Sequence, residues 1–133
     1  MPVDPSLVGR TFPPTRPYVV SEEKVREFAA ATGSTYDGGP APATFPIVMA
    51  FEAMNAFLES EAVDLFRIVH GEQKFAYTRP IVPGDVLSAT LTVAGLRQIA
   101  GADIISTSSE ITDPDGVVVC TAGATLVHRA ADA

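Results

Sequence analysis

The chain has no tryptophan, only one cysteine and few basic residues. A lone Cys120 excludes an intrachain disulfide and any metal site built from several cysteines, and it fits a reducing compartment such as the cytoplasm. Nine Lys and Arg stand against sixteen Asp and Glu, and the resulting net charge of −7 disfavours nucleic acids and anionic membranes as partners. No stretch reaches the roughly 20 apolar residues that span a bilayer, and the N-terminus lacks a secretion signal. We therefore expect a soluble, cytoplasmic protein.

The 133 residues, 47% of them hydrophobic, are enough for one globular domain over residues 1–133. Five of the first seventeen residues are prolines, so only a short edge strand near 18–20 is expected in the N-terminal part of the chain. Ser21, followed by two glutamates, then predicts the start of a short amphipathic helix that Gly33 closes. Residues 34–43 have the composition of a loop.

A second helix is predicted from a Thr44 cap to about Ser60, and it is apolar on nearly all sides, as a helix enclosed by other structure must be. Alternating segments then predict strands near 65–70, 73–79, 86–98, 102–112 and 117–128. Their short connections favour antiparallel pairing. The fold class is therefore α+β, with an antiparallel sheet curled around a central helix. Pairing two copies would protect the sheet edge, which predicts a dimer.

Four segments carry a resemblance to a known family: residues 7–18, 43–48, 69–85 and 119–122. They resemble the single-hot-dog proteins of the MaoC-like dehydratase superfamily, and most of all the N-terminal, substrate-binding type subunit of mycolic-acid-type (3R)-hydroxyacyl thioester dehydratases. The resemblance implies a hot-dog fold that dimerises through continuous sheets, as a homodimer or a heterodimer. It further implies addition or removal of water across the 2,3 bond of an acyl chain in fatty-acid or polyketide metabolism. That chain would be carried on the phosphopantetheine of acyl carrier protein or coenzyme A, with no other cofactor and no metal.

The chain departs from the catalytic branch of this family in the loop before the central helix. Where that branch has an Asp and a His, residues 34–42 contain Tyr36 and Asp37 but no histidine. Three readings follow from the departure. The protein is a hydro-lyase with a rebuilt site, a non-catalytic acyl-binding subunit whose partner supplies the dyad, or a thioesterase on the same fold.

Glu52 and His70 are the leading candidates for catalysis. A carboxyl group on a buried helix is desolvated, which suits an acid–base role, and imidazole is the commonest proton-transfer group. The alternative for Glu52 is a solvated stripe shared with Asn55 and Glu59. The position of His70 inside the family-like segment favours a structural hydrogen bond over chemistry. Asp37 and Tyr36 are substitute acid–base groups, although Asp37 also fits a simple turn. The other histidine, His128, is expected at the surface.

The candidate substrate-binding residues belong to the central helix and its surroundings. Thr44 would present free amides at the helix start that polarise a thioester carbonyl, and Gly71 would let the chain bend or a ligand approach closely. The remaining candidates would line an acyl tunnel or form plain core: Phe45, Met49, Phe51 and Asn55.

Overall fold

The computed structural model describes residues 3–129 of the chain. A short first strand and two helices precede the four long strands of a five-stranded sheet, with one turn of 3-10 helix before the first strand and another after the second helix. The elements are 3-10 Pro5–Leu7, β1 Tyr18–Val19, α1 Glu22–Ala31, α2 Ile47–Ser60, 3-10 Leu65–Arg67, β2 Ile68–Tyr77, β3 Val86–Ile99, β4 Ala102–Thr112 and β5 Val118–Arg129.

Helix α1 begins as the sequence predicts. The Ser21 hydroxyl accepts a hydrogen bond from the Lys24 amide at 3.0 Å, which satisfies one of the free donors of the first turn. Val25 and Ala29 form its buried face. The helix gives way at Gly33, whose φ of 83° lies in the left-handed region that favours glycine.

The strands form one antiparallel sheet in the order β1-β3-β4-β5-β2, which confirms the predicted curled sheet and its antiparallel pairing. Strand β2 returns to the far edge, where its only strand partner in the described chain is β5. The prediction of two strands over 65–70 and 73–79 is wrong. Residues 65–67 form a 3-10 turn, and β2 runs through Gly71 because a bulge there absorbs one residue without ending the pairing with β5.

Helix α2 packs on β3 and β4 and supplies the centre of the core. Phe45, just before the helix, and Met49 and Phe57 within it are fully buried, as expected for an enclosed helix. The predicted start at Thr44 is wrong. Pro46 occupies the cap position without a side-chain cap, because residues 42–48 first form a tight turn.

Two smaller features of the fold also bear on the sequence analysis. No helix in the span from residue 3 to residue 129 is long and apolar enough to cross a membrane.

Cys120 is buried on β5, and this burial raises the pKa of its thiol, so the group is unreactive.

Candidate functional site

A narrow cleft separates the first two turns of α2 from the sheet beneath. On the helix side it is lined by Ile47, Ala50, Phe51 and Met54. The lining on the sheet side runs from the β2 edge to the interior and consists of His70 and Gln73 of β2, Ala122 and Ala124 of β5, Thr107 and Ser109 of β4, and Leu91 of β3. The free space is about 10 Å³ for the centre of a water-sized group, which is room for about one water molecule.

His70 and Gln73 lie together in this cleft because of the bulge in β2. Side chains three residues apart on a regular strand point to opposite faces of the sheet. Here the pairing steps from His70 opposite Leu126 to Glu72 opposite Thr125, which leaves Gly71 as the extra residue. The two side chains therefore share a face, and His70 Nε2 lies 2.9 Å from Gln73 Oε1.

This contact determines which ring nitrogen of a neutral His70 donates a hydrogen bond and which one keeps its lone pair. Gln73 Nε2 donates to the Lys74 carbonyl at 3.3 Å, so the amide oxygen is turned toward the ring. A neutral His70 then donates through Nε2–H and keeps the lone pair of Nδ1 free to accept a proton. His70 is also the only titratable side chain among the described residues that line the cleft.

The structure does not bring Glu52 to His70 within one chain. Glu52 is half-buried on α2, is not among the residues that line the cleft, and forms no hydrogen bond or ion pair with another described residue. Asn55 lies one turn further along and is likewise outside the cleft lining. The acid–base role of Glu52 and the substrate contact of Asn55 stay predictions.

The loop that contains Tyr36 and Asp37 is held together by structural contacts. The Tyr36 hydroxyl donates to the Gly39 carbonyl at 2.6 Å, and the Arg26 guanidinium donates to the Tyr36 carbonyl and lies over the ring. Asp37 is exposed. Neither residue lines the cleft, so any part in the chemistry would require a movement of this loop.

Of the predicted substrate-binding residues, Phe51 lines the cleft, while Phe45 and Met49 are fully enclosed core. Gly71 bends the strand, as expected. The expectation that Thr44 presents free amides is wrong, because the amides of Ile47 and Val48 already donate to the carbonyls of residues 44 and 45.

The segment that leads into α2 is tied to the end of β2. The Tyr77 hydroxyl donates to the Ala43 carbonyl at 2.6 Å, and burial raises the pKa of Tyr77 to about 12. Beyond it, Arg79 forms two hydrogen bonds with the Asp85 carboxylate, at 2.9 and 3.3 Å. These contacts hold the end of the family-like segment 69–85 beside the start of α2. The residues that make them lie outside the lining of the cleft.

The residues of the cleft that sequence reasoning missed include two with hydroxyl side chains, Thr107 and Ser109 on β4. They occupy the inner face of the strand between Ile105 and Ile111, and both are buried. The run of Ser and Thr over 106–109 has no apolar alternation, so nothing in the sequence indicates which of its side chains point inward.

A second buried polar cluster lies near the end of β5 and corrects the expectation for His128. His128 is only 5% exposed, and its Nδ1 lies 3.0 Å from Asp103 Oδ2 across the β4–β5 pairing. The carboxylate also accepts from the Val3 amide at 3.0 Å and from Gln98 Nε2 at 2.9 Å. Burial alone would raise the pKa of Asp103, but these three donors outweigh it and hold the pKa below its usual value.

Within residues 3–129, no three His, Cys, Asp or Glu side chains converge closely enough to hold a metal ion. The polar side chains among the described residues that line the cleft are His70, its glutamine partner and the hydroxyl side chains of Thr107 and Ser109.

Comparison with known proteins identifies relatives over nearly the whole chain. A family model described as the FAS1-like dehydratase domain region matches residues 6–122. A UPF0336 protein of Clavibacter michiganensis is 42% identical over an alignment of 149 positions that covers all of both chains.

Solved structures agree with this assignment. The fold matches a C-terminally truncated HadBC complex, the (3R)-hydroxyacyl-ACP dehydratase of Mycobacterium tuberculosis, with a TM-score of 0.78 and 29% identity over 91% of this chain and 96% of that one. It also matches a MaoC-like dehydratase with a TM-score of 0.77 and 32% identity, over 96% of this chain but 43% of the longer one. The expected MaoC-like hot-dog fold is thereby confirmed.

Proposed function

Because the chain belongs to the family of the FAS1-like dehydratase domain region and to UPF0336, we propose that it is one subunit of a dimeric (3R)-hydroxyacyl-thioester dehydratase or enoyl-thioester hydratase. The α2 cleft would hold the acyl chain, and His70 would stand beside the thioester. One observation carries the proposal: among the described residues that line the cleft, one side chain is titratable, and it lies on the edge strand of the sheet.

Dehydration needs a base and an acid. A base removes the C2 proton as the C2–C3 double bond forms, and an acid protonates the hydroxyl as the C3–O bond breaks, so that water leaves. The free Nδ1 of His70 is suited to the first step. A second group is needed for the departing hydroxyl, and the lining of the cleft in this chain contains none.

The edge of β2 supports a partner as the source of that second group. Val69 is exposed there, and Phe66, just before the strand, is 96% exposed. A second hot-dog subunit that adds its own edge strand to β2 would cover these side chains, continue the sheet and bring its residues next to His70. The match to a HadBC complex favours a heterodimer, and a homodimer is the alternative.

The rest of the functional assignment follows from this chemistry. The substrate would be an acyl chain carried by acyl carrier protein or coenzyme A in fatty-acid or polyketide metabolism, in the cytoplasm and without a further cofactor. The proposal therefore assigns this chain the acyl cleft and one proton-transfer group.

The direct test is hydration of crotonyl-CoA, which is monitored through the loss of enoyl absorbance. It is measured first with the purified chain alone and then with a hot-dog subunit encoded by a neighbouring gene. We expect turnover that appears or rises with the partner and falls about a hundredfold in His70→Ala, within the range for loss of a general base. Glu52→Gln tests the other candidate, and Glu59→Gln, an exposed carboxylate on the same helix, is its matched control.

Each other result has a defined meaning. Full turnover by the chain alone, lost in both Glu52→Gln and His70→Ala, would show a self-sufficient enzyme and overturn the two-subunit reading. Release of free thiol without hydration would identify a thioesterase and overturn the dehydratase assignment. Partner-dependent turnover that is unchanged in His70→Ala would leave the chain an acyl-binding role only.

A further inference from the structure

We propose that Thr107 and Ser109 form a polar subsite inside the acyl cleft, and that this subsite selects acyl chains with a hydroxyl or keto oxygen several carbons beyond the thioester. The inference rests on the proposed function, because it names the class of acyl chain that the cleft accepts. It concerns a position away from the reacting carbons.

Both side chains are almost entirely buried, and neither hydroxyl has a partner among the described residues. Thr107 is 5% exposed and Ser109 is 3% exposed. Neither hydroxyl forms a hydrogen bond with another residue between 3 and 129. Neither is sealed inside the core, because every fully enclosed side-chain nitrogen or oxygen of the described chain has a partner. Both side chains line the cleft, so both hydroxyls face its free space.

Their surroundings explain why these positions are suited to a ligand. Thr107 pairs with Ala124 and Ser109 with Ala122 on the neighbouring strand, so small side chains leave room beside each hydroxyl. An ordinary core position would place an aliphatic side chain here, as β4 does at Ile105. A hydroxyl that faces a cleft without a protein partner is usually bound to water or to a ligand in native proteins.

The position of the pair fits the middle of a bound acyl chain. Thr107 is in register with Ala124, which is in register with Gln73, so two strand spacings, roughly 10 Å, separate it from Gln73, the hydrogen-bond partner of His70. A chain that enters at the edge strand with its thioester near His70 would cross the two alanines and reach the hydroxyls several carbons later. The 3-hydroxyl of a dehydratase substrate would remain at His70.

The hydroxyls then discriminate between chain types. The free space beside them admits one water-sized group, so a longer occupant requires Phe51 or Met54 to swing aside. Phe51 is partly exposed, and Met54 has a flexible side chain, so both can move. A saturated chain would cover the hydroxyls and leave them without partners, whereas a keto or hydroxyl oxygen would bind them.

The experiment compares binding of octanoyl-CoA with binding of its 5-oxo, 6-oxo and 7-oxo derivatives, measured by calorimetry on the full chain. We expect at least one oxo derivative to bind about tenfold more tightly than octanoyl-CoA, the effect of a buried hydroxyl that regains a partner. Thr107→Val with Ser109→Ala should abolish that preference by tightening the binding of octanoyl-CoA and weakening that of the oxo derivative. Ser108→Ala, on the opposite face of β4, is the matched control and should leave the preference unchanged.

A second measurement distinguishes ligand binding by Thr107 and Ser109 from a purely structural role of these two residues. Thermal unfolding of the double variant should occur at the wild-type temperature or above it, because unpartnered hydroxyls are replaced by apolar groups of similar shape. Equal binding of all four thioesters, or a preference that survives in the double variant, overturns the subsite while acyl binding itself stands. Failure of every acyl-CoA to bind, both to the chain alone and in the presence of its hot-dog partner, overturns the proposed function as well.

Discussion

Replacement of Asp103 by alanine tests the cluster that ties the N-terminal segment to the sheet. The carboxylate is 3% exposed and accepts from Val3, Gln98 and His128. Its removal leaves the Val3 amide and the imidazole buried without an acceptor. Breaking a buried pair of this kind costs about 3–5 kcal/mol, and for a chain of this length each kcal/mol lowers the unfolding midpoint by roughly 4 °C. We expect the midpoint at pH 7 to fall by roughly 10–20 °C.

The pH dependence of the same variant sharpens the test. The pKa of Asp103 lies below its ordinary value of 3.8 in the folded chain. A carboxyl group with a lowered pKa contributes fully above its unfolded-state value, and this contribution is lost as the pH falls through its folded-state value. The gap between the wild type and Asp103→Ala should therefore be full at pH 7 and narrow below about pH 4.

Calorimetric unfolding across this pH range provides the measurement. Asp115→Ala, in an exposed turn, is the control and should change the stability by less than about 0.5 kcal/mol. A fall in the midpoint of only a few degrees for Asp103→Ala, or a gap that does not narrow in acid, would refute the argument that the buried carboxylate is a stabilising acceptor.

Three further expectations follow from local contacts. Ser21→Ala should cost about 1 kcal/mol in urea unfolding, since the first turn of α1 loses its cap; an unchanged midpoint would contradict that role. Gly71→Ala should cost under about 1 kcal/mol, because its φ is not positive and a Cβ there would meet the Thr125 carbonyl at an ordinary 3.5 Å; unfolding of this variant would show that the bulge requires glycine. Gln73→Leu should lower crotonyl-CoA hydration about tenfold and shift the pH–rate profile, since it frees the imidazole of His70; a lower rate with an unshifted profile would indicate a packing effect only.

Much of the fold could be predicted from the sequence because its signals are local. The cap at Ser21 and the alternation over β3 each depend on neighbours within a few residues. The errors arise where the signal is not local. The chain before α2 looks like a capped helix but forms a tight turn first, and the two strands predicted over 65–79 are one, because the bulge at Gly71 is fixed by pairing with β5.

The candidate site divides in the same way. His70 stood out as one of two histidines, and Phe51 belonged to an apolar helix. The partnership of His70 with Gln73 depends on the bulge, and the inward direction of Thr107 depends on the register with β5, so neither is visible along the chain. His128 was misjudged for the same reason, because its partner Asp103 lies on another strand.

Strand β2 combines two roles that would ordinarily conflict. As an edge strand it exposes backbone donors and acceptors, which natural proteins usually protect with bulges or charged side chains. The bulge at Gly71 is such a device, yet it is also what turns Gln73 toward His70. Because one irregularity shapes both the edge and the orientation of the imidazole, a subunit that binds along β2 would act directly on the geometry of His70, the proposed proton-transfer group. In this reading, assembly and chemistry are coupled through a single extra residue in one strand.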